Sequence, residues 1–143
     1  MLSFFVRMMT ARFSRLKNRL LNSFVPGIAW WLIVLALMCT PGKDFPSLGS
    51  WTELIRLDKL IHIIVFALMV YFFNRSFAEK AYSYNEKKQL YLKIAIACAI
   101  WGLTIEFIQH FWIPGRTLDL YDFFADSAGC YLAYRYSKRY LLL

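Results

Sequence analysis

Residues 89 to 113, QLYLKIAIACAIWGLTIEFIQHFWI, form an apolar run interrupted by only two formal charges, Lys93 and Glu106. A helix needs roughly 17–25 mostly apolar residues to cross a bilayer, and this run meets that length before ending at Pro114-Gly115. Three further runs accompany it. Residues 24 to 40 are closed by Pro41-Gly42, with Pro26 placed early, where a proline in a first helical turn removes no needed hydrogen bond. Residues 60 to 73 reach spanning length when 57 to 59 are included, and residues 118 to 136 carry three aspartates in an otherwise apolar sequence. Composition agrees, since 59 % of the 143 residues are hydrophobic and 18 % charged, against about 45–50 % and 25 % in soluble domains. The expected fold is all-α, a polytopic membrane bundle of four transmembrane helices.

Charge in the connections orients that bundle. Residues 1 to 23 hold Arg7, Arg12, Arg15, Lys17 and Arg19 with no acid, and the connection after the second span holds Arg75, Lys80, Lys87 and Lys88. The tail adds Lys138 and Arg139, whereas the first and third connections are poor in both residue types. An excess of Lys and Arg marks the cytoplasmic side, so both termini are expected inside. Three parts follow: a basic cytoplasmic segment over 1–23, a membrane domain over 24–136 and a cytoplasmic tail over 137–143. The polarised +8 charge makes nucleic-acid binding unnecessary as an explanation of the basic composition. Within 1–23, Phe, Leu and Met alternate with Arg and Lys at roughly helical spacing. That suits an amphipathic helix lying in the cytoplasmic interface, or simply a positive-inside flank.

With this topology three spans deliver polar residues to one outer half of the bundle. Asp58, Lys59 and His62 open the second span, Asp58 and His62 sharing a face at i, i+4. Glu106, Gln109 and His110 close the third, and Asp119, Asp122 and Asp126 line one face at the start of the fourth, continued by Gly129 and Cys130. At about 1.5 Å per residue, Glu106 and Asp126 lie roughly 12 Å below the outer turn. Ionisable groups at such depth usually face an interior or a wet cavity.

Plainer roles stand beside this reading. Asp119 or Asp122 could cap a helix, Asp58 and Lys59 could be a solvated helix start, and His62 a satisfied buried histidine. Arg116 or Lys59 could neutralise an acid and lock helices together, although buried ion pairs are weak sources of stability. Gly102, Gly129, Ala125, Ala128 and Ala133 permit close helix approach. Trp51 and Trp112 at the outer level, with Tyr134, Tyr136 and Tyr140 at the inner, suit interfacial anchors. Cys39, Cys98 and Cys130 are far apart, without metal-ligand spacing, and read as small apolar helix residues.

LDKLIHIIVFALMVYFF, followed by GLTIEFIQHFWIPGRTLDLYDFFADSAGCYLAY, resembles the VanZ-like family of small bacterial membrane proteins. The resemblance rests on Asp58-Lys59-x-x-His62, Glu106-x-x-Gln109, Pro114-Gly115-Arg116 and Asp122 through Gly129, and covers roughly residues 55 to 135. One departure is Asp126, where such proteins usually have Asn. The resemblance implies an integral protein of the bacterial cytoplasmic membrane. The family's namesake is associated with low-level teicoplanin resistance, by a route that leaves peptidoglycan precursors unaltered.

Three functional classes follow. In the first, an outward-facing pocket of Asp58, Lys59, His62, Glu106, Gln109, Arg116, Asp119, Asp122 and Asp126 binds an envelope lipid, glycolipid or glycopeptide-related ligand. Arg116 and Lys59 would attract phosphate, and the acids would orient sugar or ammonium groups. In the second, the protein is an enzyme acting on a lipid-linked substrate. His62 with Asp58, or Glu106 with Asp126, would supply acid and base, or Asp58, His62, Glu106 and Asp122 would hold a divalent metal. A small transporter is the third, and fits less well because the charges lie on one side. No Ser-His pair, P-loop or HExxH motif is present, so the sequence selects no reaction class, no cofactor and no oligomeric state.

Overall fold

A computed structural model describes residues 6–7, 9, 23–39, 51–114 and 118–142, with side chains described from residue 57 onward in the longest stretch. Val6, Arg7 and Met9 are helical; the rest of the expected N-terminal amphipathic segment, and Arg116, lie outside the described residues. From residue 23 onward, the described chain forms four long helices and no strand: α1 (Val25–Met38), α2 (Trp51–Ala78), α3 (Tyr84–Trp112) and α4 (Leu120–Tyr140).

The helix boundaries differ from the apolar runs for local reasons. α3 starts five residues before its run because Ser83 and Glu86 form a capping box. The Ser83 hydroxyl accepts the Glu86 N–H at 3.3 Å, and the Glu86 carboxylate accepts the Ser83 N–H at 2.8 Å. α4 starts where Asp119 caps it, its carboxylate accepting the Tyr121 N–H at 2.8 Å. α2 begins at Trp51, so Asp58 and Lys59 lie two turns inside the helix and not at its opening. α1 has only 14 residues, about 21 Å at the usual rise and short of a 30 Å hydrocarbon core.

Two segments, Leu57–Ala78 and Tyr84–Trp112, are long and apolar enough to cross a membrane. Only 39 % and 33 % of their most apolar windows are buried inside the protein. The central helix of a soluble domain would be mostly covered; these present most of their surface outward. Ile61, Ile96, Ile100, Phe124 and Leu132 are all more than half exposed, while His62, Asn74, Ser76, Glu106, Gln109, Asp122, Asp126 and Ser137 are buried. Apolar outside with polar inside is the arrangement that a hydrocarbon solvent selects.

α2 and α4 form the most extensive interface, and α3 packs across both. The apolar centre joins Phe66, Met69 and Val70 of α2 to Cys98 and Ile105 of α3, Cys130 and Ala133 of α4, and Val34 of α1. All three cysteines are unpaired. At Gly129 the α4 backbone meets the α2 backbone so closely that a Cβ would overlap the Ile63 carbonyl oxygen. α1 is fastened by two side-chain bonds to backbone carbonyls. Trp30 Nε1 donates to Val65 at 2.9 Å, and Gln109 Nε2 donates to Met38 at 2.7 Å. Away from the acidic residues, Asn74 Nδ2 donates to Ser137 Oγ at 3.0 Å and ties α2 to α4 a second time.

Candidate functional site

Three helices bring their ionisable residues together at one end of the bundle. Lys59 of α2 reaches across to the start of α4. Its ammonium donates to Asp119 Oδ2 at 2.7 Å and to Asp122 Oδ1 in a shorter contact, and lies 3.6 Å from Asp58 Oδ2. The lysine is 22 % exposed and Asp122 only 7 %, so this is a half-buried cation encircled by three carboxylates. Asp119 combines the cap with the Lys59 contact. Burial alone would raise its carboxyl; the Lys59 hydrogen bond, the Tyr121 N–H and the nearby positive charge outweigh that and hold it below the usual aspartate range.

One turn deeper, His62 is 2 % exposed. Its Nδ1 pairs with Asp126 Oδ1 at 2.8 Å, and its Nε2 lies 3.9 Å from Asp58 Oδ1. Asp126 fits between α3 and α4 because α3 carries Gly102 opposite it. A Cβ there would stand 2.7 Å from Asp126 Oδ2 and 3.1 Å from Asp126 Cβ. Glu106 completes this layer from α3, 1 % exposed. Its Oε2 accepts the Asp119 N–H at 3.2 Å, while Oε1 is buried with no hydrogen-bond partner among the described residues.

The sequence candidates thus divide into two sets that share His62. Asp58, His62 and Asp122 can each place one ligand atom within 4.8 Å of the others, and so can His62, Glu106 and Asp126. Glu106 thus falls in the set with Asp126, and Asp58 in the set with Asp122. Gln109 serves a different end, since its amide holds the C-terminus of α1. Arg116 lies outside the described residues. Sequence reading did not single out Asn74, Ser137 or Trp30, whose hydrogen bonds link helices; a polar side chain inside an apolar run was the available signal for the first two.

Charge is unbalanced here. Among the described residues, Asp58, Glu106, Asp119, Asp122 and Asp126 face one lysine and one histidine. Such a site attracts cationic or hydrogen-bond-donating groups, and its His62–Asp126 pair is also of the kind that moves protons in catalysis.

No curated protein and no solved structure matches the chain. The sequence model of the VanZ/LLP1 family matches residues 1–141, which takes in all four helices and every residue of the site. Together with two outward-facing apolar helices, that match makes this a membrane protein, and the chain belongs to the VanZ/LLP1 family.

Proposed function

We propose that the helical bundle spans the bacterial cytoplasmic membrane and that the ionisable cluster is an outward-facing pocket for the headgroup of an envelope lipid or glycolipid. The observation that carries this reading is Glu106, a carboxylate 1 % exposed with one oxygen unpartnered among the described residues. A buried acceptor of this kind costs free energy unless something donates to it, and ammonium or sugar hydroxyl groups are suitable donors. Lys59 is already engaged by three acids, so the pocket favours a headgroup bearing amine or hydroxyl groups over a bare phosphate. A glycopeptide antibiotic carries the same kinds of group, which accommodates the resistance associated with the family's namesake without requiring it.

A second reading, an enzyme acting on a lipid-linked substrate, is favoured by the 2.8 Å His62–Asp126 contact beside Glu106. Lipid analysis of deletion, wild-type and Glu106→Gln cells separates the two, combined with native mass spectrometry of both purified proteins. The binding reading expects an unchanged lipid pool, with a co-purifying lipid lost in Glu106→Gln. Accumulation of one lipid species in both defective strains would establish the enzyme instead. A Glu106→Gln protein that retains the lipid and complements the deletion refutes the acid-dependent pocket altogether.

A further inference from the structure

We infer that His62, Glu106 and Asp126 form a binding site for one divalent transition ion, Zn²⁺ or Mn²⁺, with Asp58 orienting the histidine from behind. The inference goes beyond headgroup binding, because the ion can be held whether or not a lipid follows. Three observations converge on it. The three residues come from three helices, are each at most 2 % exposed, and can each bring one ligand atom within 4.8 Å of the others. Glu106 Oε1 is buried without a partner among the described residues, so the layer holds an acceptor that nothing in the described chain satisfies. Two carboxylates and a neutral imidazole carry a charge of −2, which one divalent ion cancels.

The second set, Asp58–His62–Asp122, shows why the assignment falls on the deeper layer. There the Lys59 ammonium already contacts Asp122 and Asp58 and occupies the role a metal would fill. Among the described residues, no lysine pairs with Glu106 or Asp126. The histidine has two distinct nitrogens, and the structure divides their work. Nδ1 faces Asp126 at 2.8 Å, whereas Nε2 lies 3.9 Å from Asp58 Oδ1. Ligation through Nδ1 leaves Nε2 3.9 Å from the Asp58 carboxylate, which has to close to hydrogen-bond distance to fix the tautomer as outer carboxylates do for metal-bound histidines.

Bond lengths of roughly 2.0–2.2 Å in tetrahedral geometry set ligand atoms about 3.3 Å apart. The His62–Asp126 contact therefore needs to open by about half an ångström on ion entry. One imidazole and two carboxylates suit Zn²⁺ or Mn²⁺ better than Mg²⁺ or Ca²⁺, which prefer oxygen alone. Three protein ligands also leave a position open to an exogenous oxygen.

The test uses the full-length protein in nanodiscs, stripped with chelator and titrated with Zn²⁺, Mn²⁺ and Mg²⁺. Bound metal is read by elemental analysis and calorimetry. We expect one equivalent of Zn²⁺ or Mn²⁺ per chain and much weaker Mg²⁺ binding. Glu106→Gln and Asp126→Asn should each lower the affinity by more than about a hundredfold, and Asp58→Asn by less than either, since losing an outer partner costs about 10–100-fold and losing a ligand costs more. On the wild-type protein, zinc-edge X-ray absorption should show nitrogen and oxygen ligands and no sulfur, a readout independent of how the variants fold. Sub-stoichiometric binding, a sulfur shell, or loss in Asp58→Asn with retention in Glu106→Gln each overturn the assignment. Lipid retention by the metal-stripped protein is scored separately. If no lipid binds while the metal does, the headgroup reading fails and the ion site stands; lipid binding without any metal binding gives the reverse.

Discussion

Replacing Gly129 by alanine probes the contact on which the whole site depends. The new methyl would overlap the Ile63 carbonyl oxygen, with the Ile63 carbonyl carbon at 3.0 Å and its Cα at 3.1 Å. These are backbone atoms inside a helix, so no side-chain rotation relieves the clash and α2 must move away from α4 by about 1 Å. The same displacement would stretch the 2.8 Å His62–Asp126 contact beyond hydrogen-bond range and loosen Lys59 from Asp122. Overpacking costs about 1–3 kcal/mol, and a lost hydrogen bond to a charged group about 1.5–3 kcal/mol. Alanine returns roughly 1 kcal/mol of helix propensity. The expected net loss is roughly 1.5–5 kcal/mol. Gly27→Ala is the control, because the three atoms nearest to a Cβ there all belong to the Phe73 ring, the first at 2.9 Å, and a ring can swing aside. Its effect should stay within about 1 kcal/mol. Reversible unfolding of both variants in mixed micelles measures the difference. Gly129→Ala unfolding at or above the wild-type denaturant concentration would refute the close α2–α4 approach, and with it the geometry of the site.

Lys59→Met should destabilise by roughly 1–3 kcal/mol, the cost of an uncompensated buried pair discounted for the lysine's exposure. Adding Asp122→Asn should recover part of that loss; a double variant no more stable than Lys59→Met contradicts the pairing. Asp119, whose carboxyl is held below its usual range, sets an acid limit. Its folded value is the lower one, so its contribution is complete above the unfolded value of about 3.9 and is lost as pH falls through the folded value. The stability difference between wild type and Asp119→Asn should therefore hold steady from neutral pH to about pH 5 and shrink below about pH 4. A difference that grows on acidification reverses the sign of the argument.

The apolar runs announced the helices, because hydrocarbon-length stretches leave few alternatives, and i, i+3 and i, i+4 spacing put Glu106 and Asp126 on inward faces. Their boundaries were less legible. The Ser83–Glu86 box lies in a polar connection outside any apolar window, and the α2 start depends on residues before Leu57 that hydropathy gives no reason to include. Partner choice was not legible either. Spacing along each helix says which residues share a face; which acid meets Lys59 and which meets His62 depends on the axial stagger of α2 against α4. Gly129 fixes that stagger, and a glycine in a sequence says that something comes close without saying what. Gln109 illustrates the same gap, since its partner is a backbone carbonyl 71 positions away.

Two of the side-chain ties between α2 and α4, His62–Asp126 and Asn74–Ser137, pair residues in the same chain direction. They divide the helices into segments of nearly equal length, about 18 Å in α2 and about 16.5 Å in α4. The interface therefore works as a ruler. Removing one residue between the ties from either helix rotates everything beyond it by about 100° and misaligns the far tie, whatever residue was removed. Matching deletions in both helices would preserve the axial spacing but still turn the far-tie residues off the faces they share. In this pair of helices, length between the ties is a selectable trait in its own right, separable from the identity of the side chains that fill it.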